Sequence, residues 1–120
     1  MKKKNKIKYK KFIVDPYRVT AHYLEGPNMK KLVKRLKKET GTKVYGSVKG
    51  YNGLMVTLKD RGVAIMIETQ KDKIFQDSVL VHECTHTATE ILNQVGFKID
   101  YQNDEPHAYL LQHLFLKCKR

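Results

Sequence analysis

The sequence predicts an α+β fold: a small, mostly antiparallel sheet packed by a basic helix, a second helix carrying a histidine motif, and a C-terminal helix. Three observations predict it. Runs rich in β-branched and aromatic residues, broken by turn residues, dominate the chain up to about Gln70. Beyond Lys71-Asp72-Lys73 the apolar spacing changes from a period of two to that of a helix. A chain of 120 residues can close one hydrophobic core but not two. The expected organisation is one domain over residues 1–120, with residues 1–11 as a flexible basic tail.

The elements follow in order. Lys11 to Leu24, with Phe12, Ile13, Val14, Tyr17, Val19 and Tyr23, favours one or two strands, and Pro16 within it implies an edge, a bend or a bulge. Glu25-Gly26-Pro27-Asn28 is a turn, and Asn28 can cap a helix that runs to about Thr40 and stops at Gly41. Met29, Leu32, Val33 and Leu36 share one face of that helix, while the opposite face is nearly all basic. Thr42 to Gln70 reads as a β-meander with strands at Lys43–Val48, Leu54–Leu58 and Gly62–Thr69. A helix from about Ser78 to Val95, capped by Asp77 or Ser78 and stopped by Gly96, comes next. After a short loop, a last helix is expected from about Pro106 to Lys117.

Composition narrows the function classes. No apolar run is long enough to span a bilayer, and no apolar core follows the Lys-rich start as a signal peptide would require. Cys84 and Cys118 form no spaced framework, which suits a reducing compartment. The expectation is a soluble cytoplasmic protein without a membrane partner. The net charge is +12, concentrated in the Lys-rich N-terminus and in the helix over residues 28–40. Such a surface attracts nucleic acid or an acidic protein, the plainer alternative being a solvated lysine-rich face.

The chemistry-bearing pattern is His82-Glu83-Cys84-Thr85-His86. On a helix, residues four apart lie about 6 Å apart along the axis on nearly one face, so both imidazoles can bind one Zn²⁺. Glu83 is displaced around the helix and can act as the base toward water. Two histidines and a glutamate among Val79, Leu80, Val81, Ala88, Ile91 and Leu92 are costly in a core-facing helix unless paired or ligated. A third ligand is needed. Glu90 lies about 12 Å along the axis from His82, too far to share an ion, and belongs to the surroundings or to solvent. Glu105, eighteen residues beyond His86, can be brought back by a second helix. Asp104 is the reserve ligand and His107 a weaker one, because Pro106 biases Glu105 toward the helix cap.

His82-Glu83-x-x-His86 followed after eighteen residues by Glu105 resembles the gluzincin metallopeptidases, which include metal-dependent aminopeptidases. Asn103-Asp104-Glu105-Pro106-His107-Ala108-Tyr109-Leu110-Leu111 also resembles small phage-encoded proteins bearing the same histidine motif. The resemblance covers about residues 63 to 118. It implies a minimal zincin-like domain whose sheet packs behind the motif helix, with His82, His86 and Glu105 as zinc ligands and Glu83 as base. It further implies a zinc hydrolase, a minimal peptidase acting on a protein or peptide, in a host cytoplasm if the protein is phage-encoded. In so short a chain, substrate is expected to pair with the strand near Val63 to Glu68.

Tyr109 and His113 follow Glu105 at four-residue steps, as oxyanion donors or as props for a ligand, against the alternative of an amphipathic helix with Tyr109, Leu110, Leu114 and Phe115 in the core. Cys84 reads as a small buried hydrophobe, and His22 has no partner evident in the sequence. Two rival readings remain. One is a metal-binding protein without turnover, and the other is a nucleic-acid-associated protein that uses its basic face.

Overall fold

Val63-Ala64-Ile65-Met66-Ile67 is apolar at every position, which suits a strand only if both its faces are covered. In the computed structural model, which describes residues 6–100 and 102–120, that run is the buried middle of the molecule. The elements are β1 (Lys8–Val14), β2 (Val19–Gly26), α1 (Met29–Thr40), β3 (Gly53–Thr57), β4 (Val63–Glu68), α2 (Lys73–Gln94) and α3 (Glu105–Lys119). The four strands form one mixed sheet in the order β1-β2-β4-β3. β1 pairs antiparallel with β2 and β3 antiparallel with β4, while β2 and β4 run parallel, with Tyr23 opposite Ile65. The α+β class expected from the sequence is therefore present, with one parallel pairing at its centre.

Strand alternation divides the core into two layers. Val14, Ala21, Tyr23, Val63, Ile65 and Ile67 face α2 and α3, where Leu80, Cys84, Ala88, Ile91, Leu110, Leu114 and Cys118 meet them. Leu24, Ala64 and Met66 face the other way, toward Met29, Leu32 and Leu36 of α1. Each fully buried large aliphatic side chain contributes about 1.5–3 kcal/mol. Among the described residues, no helix is long and apolar enough to cross a membrane.

α1 begins and ends where the sequence expects. The Asn28 side chain accepts from the Lys31 amide, and Gly41 closes the helix at φ 78. A carboxylate from the sheet also holds it, since Glu68 accepts the Met29 amide at 2.8 Å. That bond ties the helix start to the end of β4.

Four expectations need correction. Lys43–Val48 is not a strand: Gly46 sits at φ 87 in its middle, and Val44 and Val48 pack against the α1 layer instead of joining a ladder. Only the β3–β4 hairpin remains of the meander. The basic stretch taken as a tail is ordered into β1 from Lys8 onward, because Tyr9 packs on the α1 layer; residues 1–5 lie outside the described residues. α2 starts at Lys73, five residues before Ser78. Asp72 accepts from the Ile74 and Phe75 amides, and Asp77 instead pairs with Lys119. The extra turn carries exposed Ile74 and Phe75, so apolar spacing does not reveal it. Finally, α3 includes Glu105 in its first turn and continues to Lys119, with Asp104 at the cap position.

His22, without a partner in the sequence reading, has one in the fold. It is buried on the α1 side of β2, with its Nδ1 2.7 Å from the Tyr9 hydroxyl. Burial, aided by the charge of Lys11, lowers its pKa from the ordinary value. A lowered histidine pKa means that the unfolded chain binds more protons, so stability rises with pH through this window. The contribution is present above about pH 6.5, the unfolded value, and is lost as pH falls toward the folded value. Thermal melts between pH 7.5 and 5.5 should show a falling Tm on acidification. The fall should be smaller in His22→Gln, which keeps an acceptor for Tyr9 but cannot titrate; equal slopes in the two proteins would refute this account.

Candidate metal centre

α2 is amphipathic in an unequal way. Leu80, Cys84, Thr87, Ala88, Ile91 and Leu92 are buried against the sheet and α3, whereas His82 and His86 emerge on the exposed side. Helical spacing alone stacks the two rings. Their centroids are 4.7 Å apart and nearly perpendicular, and Nε2 of His86 lies 3.1 Å from Nε2 of His82. Two such nitrogens, both presenting lone pairs, repel one another. The contact is satisfied by a proton on one of them or by a cation accepted by both.

The pair opens into a shallow groove of about 370 Å³ lined by Tyr51, Gly53, Leu54, Met55, His82, Glu83 and His86. Its other wall is therefore β3 and the residues just before it. Glu83 is buried at the groove floor, 8% exposed, and burial raises its carboxyl pKa while the two histidines oppose that shift. The carboxylate reaches this position because residue 53 is glycine. A Cβ built there would stand 2.6 Å from Val79 Cγ1, 3.0 Å from Glu83 Cγ and 3.1 Å from Glu83 Oε2. Gly53 falls outside the strands expected from the sequence; its role depends on a contact across 30 positions that no local pattern carries. Tyr51, Leu54 and Met55 were missed for the same reason.

The remaining candidates stand apart from the pair. Glu105 and Asp104 are exposed at the start of α3, and neither lines the groove. Asp104 makes no side-chain cap bond. Tyr109 is 66% exposed and His113 is exposed as well, both on the outer side of α3. His107 does turn toward α2: its Nε2 is 3.1 Å from Thr89 Oγ1 and 3.4 Å from the Thr85 carbonyl oxygen, one turn along from His86. Glu90 accepts from Gln94, and Cys84 is fully buried, with its thiol pKa pushed up first by a hydrogen bond with Cys118 and then by burial. Among the described residues, no group of three His, Cys, Asp or Glu side chains is gathered as a metal would require.

The strand near Val63 to Glu68 cannot take an added strand from a substrate, because β4 is filled on both sides by β2 and β3. The open edge beside the histidines is β3. No protein-family model, curated protein or solved structure matches the chain. The site's chemistry rests on its own geometry.

Gly53→Ala isolates the packing that seats Glu83. Overpacking at so close a contact costs about 1–3 kcal/mol, so the variant should melt lower than wild type by a corresponding amount. Gly50→Ala, where a Cβ meets nothing within 4 Å but φ is 88, should act through backbone strain alone. In spectra of the histidine side chains, Gly53→Ala should perturb His82 and His86, and Gly50→Ala should not. Unshifted His82 and His86 signals in Gly53→Ala would remove Gly53 from the site.

Proposed function

We propose that the protein is a zinc-dependent hydrolase, a minimal peptidase of gluzincin type. The observation that carries this reading is the convergence of two exposed imidazole nitrogens above a buried carboxylate, in a groove walled by an open strand edge. The histidine pair fits the ion. Two nitrogens bonded to one tetrahedral Zn²⁺ at about 2.0–2.1 Å stand roughly 3.3 Å apart, close to the 3.1 Å between the two Nε2 atoms. Glu105 is the proposed third donor. It lies in the first turn of the helix whose His107 touches Thr85 and Thr89 of α2.

When bound, zinc supplies a Lewis acid that polarises a carbonyl and acidifies water. The chain's own residues do the rest. His82 and His86 fix the position of the site, being held four apart on a long helix whose opposite side is locked in the core. Glu83 takes a proton from water at its carboxylate; the water oxygen joins the carbonyl carbon, the C–N bond breaks, and the proton passes to the leaving amine nitrogen. β3 offers unpaired backbone groups to an extended chain, which orients the carbonyl across the groove.

Structural zinc staples need no base, and the burial of Glu83 at the groove floor favours turnover over a purely structural site. Metal analysis of purified protein should find one zinc per chain, lost in His82→Ala and His86→Ala. Glu105→Ala should weaken zinc by more than the 10- to 100-fold typical of losing a supporting partner, and Asp104→Ala by much less. Glu83→Gln should keep zinc and fold while abolishing cleavage of an unstructured polypeptide such as casein. Full zinc retention in His82→Ala, or full activity in Glu83→Gln, would defeat the reading.

A further inference from the structure

The charge of the chain is divided as sharply as its core. Residues 1–68, which include the sheet and α1, hold 18 of the 24 basic and 5 of the 12 acidic side chains. Residues 69–120, which form α2 and α3, hold the other 6 and 7 and are close to neutral. The sheet separates α1 from α2 and α3, so the most basic helix lies on the face away from the histidine pair. Within α1, Lys30, Lys31, Lys34, Lys37 and Lys38 are all exposed. Its one acidic residue, Glu39, is already taken by Arg35 at 2.7 Å. Among the described residues, none of the five lysines forms an ion pair.

Fold stability does not account for this. Lys37 and Lys38 sit in the last turn, where the helix dipole favours cations. Lys30 and Lys31 sit in the first turn, where it disfavours them; α1 has no acidic residue of its own there, and Glu68, reaching in from β4, accepts the Met29 amide. Like charges at four-residue spacing, such as Lys30–Lys34 and Lys34–Lys38, also repel. A face built against its own helix is explained by something bound to it.

We propose that the outward face of α1, flanked by exposed Lys11 and Lys43, docks on the phosphate backbone of nucleic acid without reading sequence. The scale agrees: twelve helical residues span about 18 Å, over which one strand of duplex DNA presents about five phosphates. An anionic membrane fits less well, because a helix that binds membranes inserts its apolar face, and Met29, Leu32 and Leu36 are spent on the sheet. Protein partners fit less well too, since lysine is depleted in protein interfaces. A peptidase built this way would work on proteins that are themselves held on nucleic acid, with the groove on one side of the sheet and the duplex on the other.

The test uses the full chain and a fluorescent 20-base-pair duplex, followed by anisotropy between about 50 and 200 mM salt. Binding should weaken with salt, log K falling against log salt with a slope of about −4 to −5 for five phosphate contacts. Lys31→Gln/Lys34→Gln/Lys38→Gln should bind at least tenfold more weakly at the low-salt end and flatten the slope by about 2 to 3. Lys71→Gln/Lys98→Gln/Arg120→Gln removes the same charge from the other half and should change affinity less than threefold, with circular dichroism confirming that both variants fold. Absence of binding at low salt overturns the proposal. So does equal loss in the two triple variants, which would mean bulk charge alone, or no loss in the α1 variant, which would leave the N-terminal lysines as the binding element. Capture by phosphatidylserine vesicles without any binding to the duplex assigns the face to lipid and overturns it as well. None of these readouts depends on zinc or on cleavage.

Discussion

β4 is covered on both faces and paired on both edges, and the placement of every other element follows from that enclosure. Val63, Ala64, Ile65, Met66 and Ile67 have no exposed surface at all. Such a strand cannot be a hairpin's outer arm. The chain therefore leaves β2, crosses one face as α1, and reaches the far edge before turning back through Lys59-Asp60-Arg61-Gly62 into the open slot beside β2. Covering the odd-numbered face needs two helices and covering the even-numbered face needs one. The long α2 takes the side where Ile65 and Ile67 project, and its own apolar side is consumed there.

This enclosure also decides what the histidine motif can do. With Leu80, Cys84, Ala88 and Ile91 turned inward, His82 and His86 are turned out, by the same 100° per residue that sets the packing. Glu83 falls between these two sides. It is near enough to the sheet to lose water, yet it borders the groove because β3 is the edge and carries no side chain at Gly53. A larger residue there would push either the helix or the strand away. The carboxylate's environment is thus made by a strand that the motif itself does not contain.

How much of this was legible in the sequence depends on how local the cause is. Asn28 and Gly41 bracket α1 correctly because capping is settled within four residues. The helical spacing of His82 and His86 is equally local, and so is the alternation in β2. The parallel pairing of β2 with β4 is not local: nothing in either strand names its neighbour. The failure at Lys43–Val48 has the same root, since its valines satisfy a strand pattern equally well by packing loosely beneath α1. The early start of α2 was hidden because its first turn is exposed, and the Asp72 cap announces itself only against the amides it accepts. Tyr9 as the partner of His22 depends on the register of β1 against β2, which places Lys11, not Tyr9, directly opposite His22.

The acidic residues of the α2–α3 half bear on Glu105 as the proposed third donor. Asp72 is spent capping α2, Asp77 pairs with Lys119, and Glu90 holds the Gln94 amide. Asp100 accepts two amides of the loop that leads to α3, from Gln102 and Asn103. Glu83 lies on the groove floor. That leaves Asp104 and Glu105, adjacent, exposed, and without a hydrogen bond from any described side chain or amide to their carboxylates. A carboxylate that accepts no bond from the fold is free to meet a ligand. Of the two, Glu105 has the longer side chain and lies inside the helix, whose register on α2 is fixed by Leu110, Leu114 and Cys118. The dipole at a helix start favours negative charge there, and Pro106 costs nothing where no intrahelical amide bond is owed. The start of α3 therefore presents a carboxylate that no other described group engages, on the helix whose His107 reaches Thr85 and Thr89 of α2.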